Sequence, residues 1–284
     1  MKKMTKWIGF PVIFLILTMI STACSSSSAG KNSTGDKKEI LRVGMECAYA
    51  PFNWTQLDES NGGIKLDDGT YAGGYDVEIA KRVAKSLNME LEIVKTEWDG
   101  LPPSLTSNKI DIIIAGMTDT PERRETIDFT DSYYTSDLVM VVKKGTDYAD
   151  AKNLSDFTEA KITGQQSTLH YDVIDQIPGV AKEQAMKDFP TMIVALASGK
   201  IDGYVSERPG ALSAVASNPE LIFIDFQDGE GFEYTTGDVS IAIGIRKDDG
   251  DLKDKINKAL GEISESDRNK IMEEAVKNQP LSAE

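Results

Sequence analysis

The chain has 284 residues, and its acidic residues outnumber the basic ones so strongly that the formal net charge is −15. Such a surface repels nucleic acid and anionic lipid head groups, so the composition excludes proteins that bind these polyanions through charge, whereas it tolerates cationic ligands. The sequence has two cysteines, Cys24 and Cys47, which offer no intrachain disulfide framework, so its stability must come from a hydrophobic core.

The N-terminal region differs in composition from the rest of the chain. Residues 1–23 place three lysines before an apolar run and end in small residues, the order found in a secretory signal peptide. The apolar run is shorter than the roughly 20 residues that span a bilayer, which disfavours a permanent transmembrane helix. Removal of residues 1–23 takes away three lysines and no acidic residue, so it changes the charge from −15 to −18. Residues 24–38, rich in serine, glycine and lysine, predict a flexible tether.

From Glu39 onward, short apolar strands alternate with amphipathic helices. The first unit contains, in chain order, the strand "EILRVGME", the helix "YDVEIAKRVAKSLN", the strand "MELEIVKT", a short helix in "WDGLPPSLTSN" and the buried strand "KIDIIIAGM". One face of the first helix is apolar and carries Val77, Ala80, Val83, Ala84 and Leu87. This βαβαβ order predicts a parallel sheet covered by helices.

A second unit repeats this scheme. It contains the strand "LVMVVKK", the helix start "NLSDF", the strand and loop "AKITGQQS", and the helix, turn and strand of "FPTMIVALASGKIDGYVSERPGA". The segments "LTSNKIDIIIAG" and "LASGKIDGYVSE" share a helix end, Lys-Ile-Asp and a strand entry, which indicates two lobes of like architecture. The tail predicts a strand and a helix in "VSIAIGIRKDDGDLKDKINKALGEI" and a last helix in "SESDRNKIMEEAVKN".

Several motifs occur in a characteristic order. "VGMECAYAPFNW", "GGYDVEIAKRVA", "WDGLPPSLTSNKIDIIIAGMTDTPERRETIDFTDSYY" and "SGKIDGYVSE" resemble the polar amino-acid family of ABC-importer solute-binding proteins, the bacterial extracellular solute-binding proteins of family 3. The resemblance spans about residues 39–262, and the ending from Glu265 departs from the family pattern.

The resemblance implies an α/β, two-lobed periplasmic-binding-protein-like fold of type II. Each lobe would be a mostly parallel sheet flanked by helices, and two strands near residues 138–143 and 239–245 would form the hinge. The expected division is residues 39–142 plus 239–284 for lobe 1 and residues 143–238 for lobe 2.

Cys24 and the tether after it resemble the processing site of a bacterial lipoprotein. This resemblance implies cleavage before Cys24, its acylation with palmitate, and a lipid anchor on the extracellular face of the cytoplasmic membrane, or a periplasmic location. Ser21 stands where lipoproteins usually have leucine, which leaves a plain secreted protein as the alternative.

A free amino acid presents a carboxylate and an ammonium group, so its site needs a bidentate cation and hydrogen-bond acceptors around a desolvated cleft. The resemblance implies that Arg123, and not Arg124, grips the carboxylate with its planar guanidinium. Ala115 and Gly116 let the ligand approach the backbone, and Thr118 supplies a hydroxyl. The proline–glutamate step before Arg123 predicts a helix start whose N–H groups favour an anion.

From the second lobe, the resemblance implies that Ser167 and Thr168 meet the same carboxylate and that Glu207 holds the ammonium group. His170, the one histidine of the sequence, follows a loop and is interpreted as a surface or packing residue. Cys47 is interpreted as a small buried residue and not as a nucleophile, because no histidine or asparagine pattern accompanies it.

Three residues of the first lobe are expected to determine which ligand side chain is bound. By the resemblance, Tyr49 and Trp98 fall where aromatic rings can sandwich a ligand side chain, and Glu46 lies three residues before Tyr49. An acid between two aromatic faces suits a guanidinium or ammonium group, which favours arginine, lysine or histidine. A glutamine or cystine ligand remains the alternative.

We therefore predict a surface-tethered binding protein that captures a polar, cationic L-amino acid by lobe closure and delivers it to a permease. Its partners would be separate ABC permease and ATPase chains, since the sequence has no nucleotide motif, and the protein would be a monomer without cofactor, metal or nucleic acid. The chain is not expected to be an enzyme. A dehydratase of cyclic prephenate-like acids on the same scaffold and a sensor without transport are the alternatives.

Overall fold

The structure is a computed structural model that describes residues 38–280. The predicted signal peptide, nearly all of the predicted tether and the predicted acylation site Cys24 lie outside the described residues. Within residues 38–280, no helix is both long enough and apolar enough to pass through a membrane.

The described part of the chain alternates strands and helices, joined by short 3-10 turns. The strands are β1 (Ile40–Met45), β2 (Ala48–Tyr49), β3 (Asn53–Gln56), β4 (Ile64–Lys65), β5 (Tyr71–Gly73), β6 (Glu90–Lys95), β7 (Ile112–Ile113), β8 (Asp128–Thr135), β9 (Leu138–Lys143), β10 (Lys161–Thr163), β11 (Ala181–Lys182), β12 (Gly203–Glu207), β13 (Leu221–Ile224) and β14 (Ser240–Ile245). The α-helices are α1 (Tyr75–Ser86), α2 (Leu101–Thr106), α3 (Leu169–Asp172), α4 (Phe189–Ala197), α5 (Arg208–Ser217), α6 (Gly250–Gly261) and α7 (Glu265–Asn278).

Two five-stranded sheets form the centres of two lobes. The first sheet has the order β6-β1-β7-β14-β8 and the second has the order β11-β10-β12-β9-β13. In each sheet the first two pairings are parallel and the last two are antiparallel. The predicted α/β class is confirmed, with mixed sheets, because β9 and β14, the strands that follow the two lobe crossings, run antiparallel to the other strands of their sheets. A small antiparallel sheet, β2-β3-β5-β4, belongs to the first lobe.

Helix α1 covers the first sheet with the face that its sequence period predicts. Val77, Ala80, Val83 and Ala84 are buried, and the helix contacts β6 and α6. Asp76 is also fully buried although it carries a carboxyl group, which makes it an exception on an otherwise apolar face.

The chain passes between the two sheets at two neighbouring places. β8 ends at Thr135 in the first sheet, and β9 begins at Leu138 in the second sheet. The return to the first sheet occurs at Ser240, which pairs with Thr135 so that their hydroxyl oxygens lie 3.1 Å apart. The two crossings therefore lie side by side, as in a two-strand hinge.

The first crossing comes earlier than the sequence predicted. β9 was assigned to the first lobe as far as residue 142, but all of β9 pairs with β12 and β13 of the second sheet. We propose residues 38–136 and 239–280 as the first lobe and residues 137–238 as the second lobe.

The Lys-Ile-Asp echo has the same geometry in both lobes. In the first lobe, the Asp111 carboxylate accepts from the backbone N–H of Arg42 at 2.9 Å, and the Asp111 N–H donates back to the Arg42 carbonyl at 2.8 Å. In the second lobe, Asp202 and Lys161 repeat both bonds, each at 2.8 Å. The repeated aspartate thus anchors one strand end to the start of its neighbour in each lobe.

Candidate functional site

A cavity lies between the lobes, where chain segments leave the carboxyl ends of strands in both sheets, the usual place for ligand sites in α/β sheets. It is lined by Tyr49, Trp98, Gly116, Thr118, Arg123, Leu138, Gln165, Thr168, Leu169, His170, Glu207, Asp238 and Val239. Seven of the ten residues predicted to bind the ligand are among them. The other three, Glu46, Ala115 and Ser167, are not part of the lining but adjoin it.

The backbone at Gly116 comes close to an aromatic ring. Gly116 has a φ of +61°, and a Cβ atom placed there would lie 3.1 Å from Cε1 of Tyr49. Its N–H donates to the hydroxyl of Tyr133 at 3.2 Å. Both the left-handed φ and the close approach require glycine, so the Ala115-Gly116 step brings the backbone to the cavity wall.

A buried hydrogen-bond network holds the Gly116 backbone in place. Asp76 accepts hydrogen bonds from the Tyr133 hydroxyl at 2.7 Å and from Asn53 Nδ2 at 2.8 Å. Asn53 Oδ1 in turn accepts from the Cys47 N–H at 2.7 Å, beside Glu46. Burial raises the pKa of Asp76 to about 6. This role of Asp76 was not predicted, although an acid at position 76 falls on the apolar stripe of α1, which is a signal that could have revealed it.

Arg123 extends from a 3-10 turn, Arg123–Glu125, into the cavity. Its Nη1 donates to the hydroxyl and the carbonyl oxygen of Thr118, at 2.6 and 2.7 Å. Its Nη2 donates to the Ser167 carbonyl oxygen of the second lobe at 2.9 Å. The guanidinium stands over Trp98, with Cζ 5.2 Å from the ring centroid, a cation–π distance. Burial lowers the pKa of Arg123 to about 10, which leaves it a cation at neutral pH.

The neighbouring Arg124 has different partners. It is exposed and pairs with Asp119 and, at 2.7 Å, with Asp128. Among residues 38–280 no carboxylate lies within ion-pair distance of Arg123. A partly buried cation without a counter-charge favours binding of an anion. The helix predicted at the proline–glutamate step is wrong, because the structure has a three-residue 3-10 turn there, too short for a helix N-terminus to contribute.

Ser167 and Thr168 form the loop between β10 and α3 in the second lobe. Ser167 has a φ of +57°, which turns its carbonyl oxygen toward Arg123. The Thr168 hydroxyl donates to the carbonyl oxygen of Gln165 at 2.7 Å and lines the cavity, where its oxygen can accept a further bond. The loop therefore places a carbonyl and a hydroxyl opposite the first lobe.

Glu207 and His170 meet at the second-lobe wall of the cavity. His170 Nε2 lies 2.9 Å from Glu207 Oε2, and both side chains are buried. Burial raises the pKa of Glu207 to about 8, whereas burial and the charge of Arg123 lower the pKa of His170 to about 3. His170 is buried, so the surface interpretation is wrong; its side chain packs edge-on against Phe189 and also lines the cavity. A single polar residue in a short helix carries no periodic signal that could have revealed this.

Glu46 reaches across the lobe boundary. Gln165 Nε2 lies 3.3 and 3.2 Å from its two carboxylate oxygens and also donates to the Lys187 carbonyl. Burial raises the pKa of Glu46 to about 7, and the hydrogen bond from Gln165 counteracts this in part. Among the described residues no basic side chain lies within ion-pair distance of Glu46.

The two predicted aromatic residues have protein partners in this structure. Tyr49 stacks on Phe189 of the second lobe, with centroids 4.2 Å apart and planes at 12°, and Trp98 contacts Arg123. A ligand side chain between Tyr49 and Trp98 would therefore have to displace one of these contacts. Phe189 and Gln165 were not predicted as part of the site, because their contacts with Tyr49 and Glu46 form where the lobes meet.

The chain is similar to known proteins over most of its length. The model of the "Bacterial extracellular solute-binding proteins, family 3" matches residues 41–277. A probable histidine-binding protein of Campylobacter jejuni is 32% identical over 231 residues, 80% of this chain and 82% of that protein. The arginine-binding extracellular protein ArtP of Bacillus subtilis is 30% identical over 263 residues, 93% of this chain and 94% of ArtP.

Among solved structures, the substrate-binding protein AbpA of an amino acid ABC transporter from Streptococcus pneumoniae, bound to L-arginine, is similar with a TM-score of 0.71 and 27% identity. The match covers 84% of this chain and 94% of AbpA. The fold is thus that of the type II periplasmic-binding-protein-like proteins, as the sequence predicted.

Proposed function

The chain belongs to family 3 of the bacterial extracellular solute-binding proteins, which act with ABC transporters, and on this premise we propose that its ligand is a free L-amino acid with a cationic side chain: arginine, lysine or histidine. The ligand lies between the lobes, which close on it. The closed protein then presents the amino acid to a permease whose subunits and ATPase are separate chains.

The α-carboxylate binds to Arg123. This guanidinium already has hydrogen bonds from Nη1 to Thr118 and from Nη2 to Ser167, and it has no carboxylate partner in the described chain. A ligand carboxylate supplies the missing counter-charge, and the Thr118 hydroxyl, which accepts from Arg123, adds a donor. The Thr168 hydroxyl adds a second donor when it leaves the Gln165 carbonyl. The unpaired charge of Arg123 beside the fully paired Arg124 is the observation that carries the proposal.

The α-ammonium group binds to Glu207 on the opposite wall. The buried Glu207 carboxyl has no basic side chain other than His170 within ion-pair distance in residues 38–280. The carbonyl oxygens at the Ala115-Gly116 step can accept further bonds from the ammonium group. A cation next to Glu207 would restore its ionised form, which burial disfavours.

The ligand side chain lies toward Glu46. This carboxyl group is buried against a neutral amide, Gln165, and a cationic side chain would provide the positive charge that it lacks. Relatives named for arginine and histidine support the same choice.

A panel of the twenty amino acids and L-cystine, added separately to the purified protein in a thermal-shift assay, tests the proposal. A ligand at 1,000 times its Kd stabilises the fold by about 4.1 kcal/mol, so arginine, lysine or histidine should give the largest shift. The proposal is abandoned if no amino acid at millimolar concentration shifts unfolding, and the cationic choice is abandoned if glutamine or cystine gives the largest shift.

We further propose that Cys24 is acylated and holds the protein on the extracellular face of the membrane. The lysine-rich start, the apolar run and the polar tether support this proposal. Cells grown with labelled palmitate should yield a labelled protein in the membrane fraction, and Cys24→Ala should abolish the label. A labelled C24A protein or an unlabelled wild type would contradict the anchor.

A further inference from the structure

The lone histidine of the sequence contacts the carboxyl group that the proposed function assigns to the ligand's amino group. His170 Nε2 and Glu207 Oε2 lie 2.9 Å apart, and the two residues are 6% and 4% exposed. Among the described residues, neither Glu207 Oε2 nor His170 Nδ1 has a hydrogen bond of good geometry, so the 2.9 Å distance is a close approach of two buried polar groups. The carboxyl group and the imidazole thus share one buried contact.

The groups around this pair come from several elements. Arg123 faces it from the first lobe together with Tyr49, whose hydroxyl has no hydrogen-bond partner in the part of the chain that the structure describes. Phe189 of α4 meets the imidazole edge-on, with centroids 5.8 Å apart. Asp238, before β14, also lines the cavity, and its pKa is held low by hydrogen bonds from the Thr235 backbone and hydroxyl. Neither Arg123 nor Asp238 changes charge near neutral pH.

We infer that His170 is a positioning residue for the amino-group subsite. In the free protein its Nε2 orients the Glu207 carboxyl by accepting a hydrogen bond from the protonated carboxyl group. The carboxyl proton leaves when a cationic amino group binds. This inference rests on the proposed function and deepens it. In the bound state the carboxylate accepts hydrogen bonds from the ammonium group, and the displaced proton passes to solvent, so charge and atoms balance.

The burial of both groups supports this assignment. Because burial raises the pKa of Glu207 to about 8 and lowers that of His170 to about 3, the pair carries its proton on Glu207 at pH 7. The proton and the ligand's ammonium group then compete for one carboxyl group. Below the pKa of Glu207, each pH unit weakens binding about tenfold, and above it the affinity levels off.

Glu46 is another buried acid near the site, and its pKa is also raised, to about 7. Its titration would add to any pH effect on a ligand with a cationic side chain. Glu46→Gln removes that contribution and leaves the Glu207–His170 pair intact, so it is the background in which the inference is tested.

The first experiment is calorimetric titration of the E46Q protein with L-arginine, at pH 6, 7 and 8, in two buffers of different ionisation enthalpy. We expect release of most of one proton per arginine at pH 7 and about tenfold weaker binding at pH 6 than at pH 7. Tight binding without proton release overturns the inference and leaves the proposed function in place. Absence of binding by E46Q and wild type to every amino acid overturns both.

The second experiment tests the part played by His170. We expect His170→Leu to weaken binding at least tenfold, and His170→Gln, whose amide can still hydrogen-bond the carboxyl group, to recover at least half of that loss on a logarithmic scale. Equal loss in both variants, or no loss in H170L, overturns the positioning role.

A third experiment follows the imidazole directly and does not depend on a measurement of affinity, since the sequence contains one histidine. Nitrogen-15 spectra of the tag-free protein should show one imidazole that stays neutral from pH 5.5 to 8.5 and whose Nε2 signal moves on addition of arginine. An imidazole that titrates near its ordinary pKa of about 6.5, or whose Nε2 signal does not move on addition of arginine, overturns the inference.

Discussion

The two walls of the cavity hold their charged groups in different ways. On the first-lobe wall, Arg123 is tied by its Nη1 and Nη2 to neighbouring oxygens, and the Gly116 backbone is anchored through Tyr133 to Asp76. On the second-lobe wall, the Glu207 carboxyl lies within ion-pair distance of one titratable side chain of residues 38–280, that of His170.

The first wall therefore contributes a fixed geometry, and the second wall contributes a charge that can change. The first wall has fixed positions and a permanent cation, so it can select the ligand's carboxylate without any change in the protein. The second wall has a titratable acid in a desolvated place, so its charge depends on what lies beside it. Substitutions on the two walls should therefore differ both in size and in their response to pH.

The largest expected effect is that of Arg123→Ala. Loss of the guanidinium removes the cation from the proposed carboxylate subsite, and loss of one partner of a buried charge pair costs about 2–5 kcal/mol. We expect arginine binding to weaken by a factor of about 30 to several thousand, measured by calorimetry.

Arg124→Ala is the matched control, because it removes the same group one residue later. Arg124 is exposed and paired with Asp119 and Asp128, and surface pairs contribute about 0–1 kcal/mol. The affinity of R124A for arginine should stay within about threefold of that of wild type. If R123A retained wild-type affinity, or R124A lost as much as R123A, the assignment of the first wall would be wrong.

Asp76→Asn tests whether the first wall depends on its buried network. The new amide would oppose the donor group of Asn53, and an unsatisfied buried group costs about 1–3 kcal/mol. We expect that loss in the free energy of unfolding, measured in urea, together with a few-fold loss of arginine affinity.

The pH dependence gives a second readout for the same variant. Because burial raises the pKa of Asp76 to about 6, its contribution to stability is complete below the unfolded pKa and is lost as the pH rises through 6. D76N should lack this contribution, so the stability difference should change between pH 4 and 7. An affinity unchanged by D76N would mean that the network supports the fold but not the site.

The first wall was also the more predictable one. Arg123, Thr118 and Gly116 follow a buried strand within a few residues, so one segment of sequence carries them all. The order of strands and helices could also be predicted, because the hydrophobic period of each element lies within one segment of sequence. The first crossing was misplaced because the valine-rich β9 would be buried in either lobe.

The second wall and the contacts between the lobes could not be read in this way. His170 meets Glu207 from 37 positions away, and Phe189 and Gln165 contact Tyr49 and Glu46 across the lobe boundary. Such contacts depend on tertiary structure and leave no periodic trace in a single sequence.

The selectivity for a cationic side chain can be separated from the charge of the second wall. Arginine and its neutral isostere citrulline share the α-amino and carboxylate groups, so the ratio of their Kd values cancels the effect of Glu207. Because the pKa of Glu46 is raised to about 7, the preference for arginine should grow by up to about tenfold from pH 6 to pH 8. Calorimetry with both ligands measures this ratio.

Glu46→Gln provides the control for that ratio. It keeps the shape of the side chain and removes its charge, so the preference for arginine should become independent of pH. A ratio that changes equally in wild type and E46Q would place the selectivity elsewhere in the cavity.

The smallest expected effect concerns support that the first lobe gives to the second wall. Gln279, after α7, donates from Nε2 to the Ser213 carbonyl at 3.2 Å and accepts from the Ser213 hydroxyl, and both residues are buried. Ser213 belongs to α5, the helix that begins directly after Glu207. This contact therefore links the C-terminal helix of one lobe to the element that carries the acid of the other.

Gln279→Ala should cost about 1 kcal/mol of unfolding free energy, since it removes hydrogen bonds of ordinary net strength. If the link also positions Glu207, arginine affinity should fall about twofold to threefold while its dependence on pH stays that of wild type, because neither buried acid is altered. Ser213→Ala, which removes the hydroxyl alone, should lose less stability than Q279A. A Q279A protein with altered proton release on binding would instead mean that the C-terminal helix sets the environment of Glu207, and the two walls would then be coupled through the fold.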